Sequence, residues 1–348
     1  MKVVSIIGAR PQFIKASVVC EALKSKGIEE VLVNSGQHYD ANMSDVFFKS
    51  LNIPQAAYNL EVGSGSHAEM TAKIMIEFER VVLQEKPDYI LVYGDTNTTL
   101  AGALVASKIK IPIAHIEAGI RMFPKDMPEE INRVLVDRIS AKLFCASNLG
   151  IENLRKEGIT NGVLFSGDVM YDVFKKMQPH FDYSTLAKHQ LKENNFVVVT
   201  LHRDYNVDVA EKLQSILQQL NKVAAAYPVL FSVHPRTRKR IAEFGLEALT
   251  QKLTLLEPLG YFEMMGLIAA SRNIITDSGG LQKESYFAGK QAVVVMPDTG
   301  WQELVDRQIN VLSTPEAIYE KWENLSPAHF EQNIYGKADA AEIIAANL

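Results

Sequence analysis

The sequence predicts an α/β chain folded as two Rossmann-like halves that face each other across a cleft. Three observations lead there. Short apolar runs alternate with longer helical periods from one end of the 348 residues to the other, the pattern of repeated βαβ units and parallel sheets. The length exceeds what a single core usually sustains, so two domains of about 150 to 180 residues are expected. The stretch from Gly167 to Asn195 is polar, holds Pro179 and has the lowest density of strand signals, which marks the break. The expected organisation is therefore residues 1–170, residues 171–330 and a last Ala-rich helix within 331–348 that packs back on the first half.

Composition narrows the class of partner. Hydrophobic residues make up 47% and charged residues 22%, as in an ordinary soluble globular protein. A net charge of -5 argues against nucleic acid or an anionic membrane as partner, so any phosphate site must concentrate positive charge locally. Cys20 and Cys145 are too few and too far apart for a disulfide framework or a zinc site. The first apolar run, Val3-Val4-Ser5-Ile6-Ile7, is too short for a signal segment or a membrane span, so a cytoplasmic protein is expected.

Strands are expected near 2–7, 31–34, 88–93, 112–116, 142–145 and 162–165, then near 196–200, 228–233, 253–256, 272–276, 291–295 and 309–312. Ligands of open α/β sheets collect beyond the carboxyl ends of strands, which directs attention to the residues that follow each one. After the first come Gly8, Arg10, Pro11 and Lys15: a turn, a helix start and two cations, or merely two solvated charges. After the second comes Ser35-Gly36-Gln37-His38-Tyr39-Asp40, suited to hydrogen bonding or simply a loop. Gly63-Ser64-Gly65-Ser66-His67 follows, with Ser66 placed to cap the next helix.

Asp95 ends the third strand beside a helix start, where an N-cap is the commoner role. His115 and Glu117 lie two apart and would share one strand face. A glutamate ending an apolar strand is expensive unless paired, which makes Glu117 a functional candidate, or else a partner of Arg121. Pro128-Glu129-Glu130 starts a helix with acids in its first turn, an arrangement the helix dipole favours. That helix brings Glu129 or Glu130 within reach of the Glu117 region, behind a loop with Arg121 and Lys125.

In the second half, Thr200-Leu201-His202-Arg203 and Ser232-Val233-His234-Pro235-Arg236 place a histidine and an arginine after successive strands. Both pairs can meet phosphate oxygens, and His202 can donate a proton to a departing group. The strand at 272–276 runs into Asp277-Ser278-Gly279-Gly280, two capping residue types and two glycines at a helix start. Free N–H groups and the aligned peptide dipoles make such a turn a phosphate cradle, with Glu284 further along placed to accept ribose hydroxyls.

Together, the GARPQFIK start, Gly94-Asp95-Thr96, His115 to Arg121, Pro128 to Arg133, Thr200 to Arg203 and Thr276 to Glu284 resemble the non-hydrolysing UDP-N-acetylglucosamine 2-epimerase family, in order and over nearly the full length. The resemblance implies a glycosyltransferase-B-like fold, interconversion of UDP-GlcNAc and UDP-ManNAc for surface polysaccharide synthesis, no metal or other cofactor, and usually a homodimer. It places Arg10 and Lys15 at the nucleotide sugar, and Asp95, Glu117 and Glu129 around the sugar ring. It also places His202 at the pyrophosphate, Ser278, Gly279 and Gly280 on the phosphates, and Glu284 on the ribose. The chain departs from the usual family at Pro297-Asp298-Thr299-Gly300-Trp301-Gln302-Glu303, where an Arg-Asp-Thr-Thr-Glu-Arg-Pro-Glu run is expected and Trp301 stands in place of the second arginine. That departure is similar to the branch acting on UDP-2,3-diacetamido-glucuronic acid. A hydrolysing epimerase and a glycosyltransferase of the same fold are the alternatives.

Overall fold

The computed structural model describes residues 1–36, 55–122, 126–326, 331 and 333–348. Gln37 to Asp40 and Lys125, read above as loop positions near a ligand, lie outside the described residues. The chain divides into two compact units, Met1–Lys176 with Asn333–Leu348, and Met177–Gln332.

The first unit is built on one sheet of β1 (Lys2–Ile7), β2 (Glu29–Asn34), β3 (Tyr58–Asn59), β4 (Tyr89–Tyr93), β5 (Ile113–Ile116), β6 (Lys142–Cys145) and β7 (Val163–Phe165). Their order is β3-β2-β1-β4-β5-β6-β7, and every pairing is parallel. The second unit repeats the plan with β8 (Val197–Leu201), β9 (Val229–Val233), β10 (Thr254–Leu256), β11 (Asn273–Thr276), β12 (Ala292–Val294) and β13 (Asn310–Leu312), in the order β10-β9-β8-β11-β12-β13. Its pairings are parallel as well. The two-residue edge strand β3 is absent from the sequence-based expectation, since two residues leave no apolar run to read.

Parallel strands covered by helices on both faces are buried on both faces, so they read as continuous apolar runs. β1 is buried at all positions but its first, and β9 throughout. In the first unit the core gathers Val4 and Ile6 of β1, Ile90 and Val92 of β4, and Ile74 and Phe78 of the helix His67–Glu85. In the second it gathers Val197, Val199, Phe231 and Ile275 with Leu213, Ile216 and Leu220 of the helix Ala210–Ala224.

Chain direction across each sheet reverses once. From β1 the chain moves out to β2 on one side and returns to β4 on the other; from β8 it moves to β9 and returns to β11. These two points, β1/β4 and β8/β11, are where the strand ends diverge and leave room for a ligand. The last helix, Ala340–Ala346, packs on the helix Arg10–Ser25 of the first unit. Asp172 holds it there by accepting the Ala340 and Ala341 N–H groups at 3.2 and 2.7 Å. Burial pushes the Asp172 carboxyl up to about 6, against the pull of those two donors.

Just beyond β5 the chain turns through Gly119, whose φ of +81° belongs to the left-handed region. A Cβ at this position would lie 2.4 Å from the carbonyl oxygen of Gly150, in the helix Asn148–Lys156. Gly119→Ala is therefore expected to destabilise the protein by about 1–3 kcal/mol, from a backbone overlap that no rotamer relieves. Thermal denaturation checks this, and an unchanged Tm would mean that the two segments do not approach as described.

Candidate active site

In the first unit the site is assembled by a residue the sequence reading passed over. Gln12 is buried on the first turn of the helix Arg10–Ser25. Its Oε1 accepts the N–H groups of Gly8 and Ala9 at 2.8 and 3.0 Å, while its Nε2 donates to the Tyr93 carbonyl at 2.7 Å and to the Thr96 and Thr99 hydroxyls at 3.0 Å. One amide thus ties the end of β1 to the end of β4 and fixes the turn that leads into the helix carrying Arg10 and Lys15. Arg10, at the helix start, is exposed.

Glu117 follows β5 and does not continue it. The strand ends at Ile116, and Glu117 takes a φ of +72°, a conformation uncommon for any residue with a side chain. The Glu117 and Ala118 N–H groups both turn to the Phe144 carbonyl, at 3.1 and 3.0 Å. Strand alternation, which would place His115 and Glu117 on one face, stops at this kink. The Glu117 carboxylate is buried and its Oε2 is bound by the Lys15 ammonium, 102 residues earlier in the chain.

Arg121, considered above as a partner for Glu117, is engaged elsewhere. Its guanidinium donates to both carboxylate oxygens of Glu157, at 2.6 and 2.7 Å, and to Asp137 Oδ2 at 2.7 Å. Asp137 in turn binds His115 Nδ1 at 2.7 Å, while His115 Nε2 donates to the Gly94 carbonyl at 2.8 Å. Burial alone would raise the Asp137 carboxyl; the His115 hydrogen bond and the Arg121 charge outweigh it and hold the group below the usual carboxylate range. His115 is fully buried, so it braces the Gly94 turn from inside.

Asp95 is not the cap of the next helix, Asn97–Lys108; that role falls to Thr96, whose hydroxyl accepts the Thr99 N–H at 3.3 Å. The Asp95 carboxylate is instead bound by Arg133, and its backbone carbonyl accepts from Asn132 Nδ2 at 2.8 Å. Arg133 also reaches Glu130 at 3.0 Å, and Glu130 accepts the Met122 N–H at 2.9 Å. Of the two acids that open the helix Pro128–Ile139, Glu130 is therefore buried in this network and Glu129 is exposed. Arg133, Asn132 and Gln12 were missed because each reads as an ordinary helix residue. Only the Glu130–Arg133 spacing of three hinted at a pair.

In the second unit the organiser is Asp277. Of the two capping types at this helix start, Ser278 is the cap of the helix Gly279–Phe287, its hydroxyl accepting from the Leu281 N–H. Asp277, fully buried, binds the His202 N–H at 3.0 Å, the Arg203 N–H at 2.9 Å, Asn206 Nδ2 at 3.1 Å and His202 Nδ1 at 3.0 Å. Burial would raise this carboxyl, and the donors from His202, Arg203 and Asn206 bring it below its ordinary value. The carboxylate orients the His202 ring, which remains partly exposed, and the ring of His234 lies 5.9 Å away. His234 heads the helix Pro235–Glu243 and accepts the Arg236 N–H at 3.2 Å. Burial, with the nearby charges of His202 and Arg236, lowers its pKa.

Gly279 and Gly280 do not make the tight turn expected of them: neither has a positive φ, and both already belong to the helix. Their value is space. A Cβ at Gly280 would meet nothing within 4 Å, and at Gly279 only the Arg203 guanidinium at 3.9 Å. Glycine is thus not demanded by backbone or packing, and the Gly279 and Gly280 N–H groups of the first turn lie near a cation, as an anion seat needs. Glu284 is half-buried in the same helix, and burial pushes its carboxyl up to about 7. Among the described residues no group of three or more His, Cys, Asp or Glu side chains is placed to hold a metal ion, and no helix is long and apolar enough to cross a membrane.

Two parallel sheets with interleaved helices and polar groups at both switch points define a glycosyltransferase-B-like α/β protein. The model of the family described as UDP-N-acetylglucosamine 2-epimerase matches residues 21–348, and the chain belongs to that family. It is 46% identical to the UDP-2,3-diacetamido-2,3-dideoxy-D-glucuronate 2-epimerase of Pseudomonas aeruginosa, over 90% of this chain and 88% of that one. It is 41% identical to the UDP-N-acetylglucosamine 2-epimerase of Methanocaldococcus jannaschii, again over 90% and 88%. A crystal structure of the M. jannaschii enzyme with UDP-GlcNAc and UDP superposes with a TM-score of 0.84 at 38% identity, covering 99% of both chains. The Neisseria meningitidis enzyme bound to UDP-GlcNAc superposes with a TM-score of 0.84 at 29% identity, also over 99% of both.

The Asp277 carboxyl has a folded-state pKa below its ordinary value of about 3.9, so its stabilisation is complete above that value and disappears as pH falls through the folded-state pKa. Asp277→Asn, which turns an N–H donor toward donors, is expected to cost about 1–3 kcal/mol at neutral pH. It should also flatten the acid limb of stability. Unfolding of both proteins followed along a pH series checks this, and parallel acid limbs would contradict it.

Proposed function

We propose that the chain inverts C2 of a UDP-2-acetamido sugar without net hydrolysis, converting UDP-GlcNAc and UDP-ManNAc into one another. The observation that carries this reading is Glu117: a buried carboxylate in a left-handed backbone conformation at a strand end, bound by Lys15. A glutamate so held is costly to the fold and suited to a reacting proton. The family membership supports the substrate class.

The C2 proton is weakly acidic, so the reaction proceeds by elimination. The C1–O bond breaks with its electron pair leaving on UDP, the C2 proton passes to a carboxylate, and the C1–C2 double bond of a 2-acetamidoglucal forms. Protonation of C2 from the other face and return of UDP to C1 complete the inversion. We assign the proton transfers to Asp95, Glu117 and Glu129. The departing diphosphate is received by the Ser278, Gly279 and Gly280 segment, His202 and His234, the ribose by Glu284, and the nucleotide sugar is further held by Arg10 and Lys15. Carboxylates about the ring suit the two steps because Asp95 is held by Arg133, Glu117 by Lys15, and Glu129 is exposed.

A second reading, inversion of UDP-2,3-diacetamido-glucuronate, is favoured by the Pro297 to Glu303 run without arginine and by the 46% identity to an enzyme of that name. The protein is further proposed to act as a homodimer. Ile131, Val134, Leu135 and Ile139 form an exposed apolar stripe along the helix Pro128–Ile139, which a second copy would cover.

Incubation with each UDP-sugar in heavy water is expected to place deuterium at C2 with inversion, and no exchange with either sugar would sink the proposal. Accumulating free UDP would indicate hydrolysis, and transfer to an acceptor with C2–H retained would indicate a glycosyltransferase. Glu117→Gln should lower turnover at least about a hundredfold while UDP affinity stays within about twofold, since the change removes a proton acceptor with little change of shape. Light scattering should give a dimer mass for the native chain and a monomer mass for the Ile131→Glu, Leu135→Glu double variant; a monomeric native chain would overturn the dimer.

A further inference from the structure

The site as described leaves Trp301 and Lys283 without a role. Trp301 precedes the short helix Gln302–Asp306, and its backbone N–H donates to the Thr299 hydroxyl at 3.2 Å. That hydroxyl donates to Gln282 Oε1 at 2.7 Å, so the loop bearing Trp301 is fastened to the helix Gly279–Phe287. From there the indole Nε1 donates to the Gly279 carbonyl at 2.9 Å. On the face of the same ring lies the Lys283 ammonium, 3.9 Å from the centroid, on a side chain whose residue is only 4% exposed. A cation held over an indole is attracted by the ring quadrupole, all the more when removed from water.

The Gly279 carbonyl and the Gly280 N–H belong to one planar peptide unit and point in opposite directions. A donor fixed on the carbonyl therefore fixes where the N–H points, and polarises it into a better donor. A Cβ at Gly280 would meet nothing within 4 Å, and one at Gly279 only the Arg203 guanidinium at 3.9 Å. We propose that Trp301 is a positioning residue for the diphosphate seat: its indole N–H sets the Gly279–Gly280 peptide so that the Gly280 N–H faces the phosphate, and Lys283 across the ring keeps the indole in that orientation. The inference rests on the reading of this helix start as the UDP diphosphate site. It gives this chain a way of building the seat with an indole, at Trp301, where the resemblance leads one to expect arginine.

Trp301→Phe separates the two contributions, because it keeps an aromatic face for Lys283 and removes only the N–H. Titration calorimetry with UDP should show about three- to tenfold weaker binding, the ordinary worth of one hydrogen bond, with Tm unchanged. Lys283→Met should weaken UDP binding by a smaller factor, and should add little in the Trp301→Phe background, where the indole N–H is already gone. Binding by Trp301→Phe as tight as native would overturn the proposal, and so would a fall in Tm that parallels the fall in affinity, since that would make the role structural. A native protein that binds no UDP at all would instead remove the reading of the site on which the proposal stands.

Discussion

The buried carboxylate of Asp277 is the constraint on which the second unit's chemistry depends. Where two parallel strands part at a switch point, the backbone N–H groups beyond the strand ends lose their ladder partners, and in a buried position they must find others. Asp277 supplies four acceptor positions to the N–H groups of His202 and Arg203, the Asn206 amide and the His202 ring. In doing so it locks the end of β8 to the end of β11, and His202, Arg203 and the start of the helix Gly279–Phe287 are placed relative to that one group. Its other contribution is indirect. Because Asp277 is consumed by these donors, the N–H groups of the next residues but one are left to the solvent side, with Ser278 closing the helix start behind them.

The first unit meets the same constraint with an uncharged side chain. At β1/β4 both kinds of backbone group need partners, N–H groups after β1 and a carbonyl at the end of β4, and an amide can accept from the first and donate to the second. Gln12 does both. The residue at each switch point thus matches the polarity of what has to be satisfied, and a carboxylate at the Gln12 position would set an acceptor against the Tyr93 carbonyl, which would keep only the Thr99 hydroxyl as donor.

Much of this architecture is legible in the sequence, because strands buried on both faces announce themselves as apolar runs and because ligand groups of such sheets follow the strand ends. The strand positions and the placing of Asp95, Glu117, His202 and Ser278 just beyond strand ends come from that logic, while the family resemblance rests on the motifs themselves. Partner choice is not legible. Glu117 meets Lys15 rather than Arg121, four residues away, since pairing follows the order of strands in space and β1 and β5 flank β4. Capping follows a related logic: beside Asp95 the cap falls one residue later, and of the two capping types Asp277 and Ser278 only Ser278 caps. Asp95 and Asp277 have the right chemistry for a cap, but each was claimed by a tertiary partner, and the hydroxyls of Thr96 and Ser278 next in sequence took the role.

The ion pairs in the first unit also differ in how easily they can be exchanged, and this bears on how a substrate would enter them. Arg133 holds Asp95 and Glu130 through separate nitrogens of one rigid fork, so releasing either acid disturbs both bonds. Lys15 is a point charge on a flexible stem, and it can swing from Glu117 to a phosphate or hydroxyl oxygen without a rearrangement of the backbone. Glu117 itself cannot follow, because its carboxylate hangs from a backbone set at positive φ and pinned by two N–H groups on the Phe144 carbonyl. Under the proposed function, ligand arrival would thus uncover one carboxylate at a fixed place, while Asp95 would stay under its arginine. The two acids differ in the cation each is given, one on a rigid fork and one on a flexible stem, and under the proposed function that difference would let one be uncovered while the other is held.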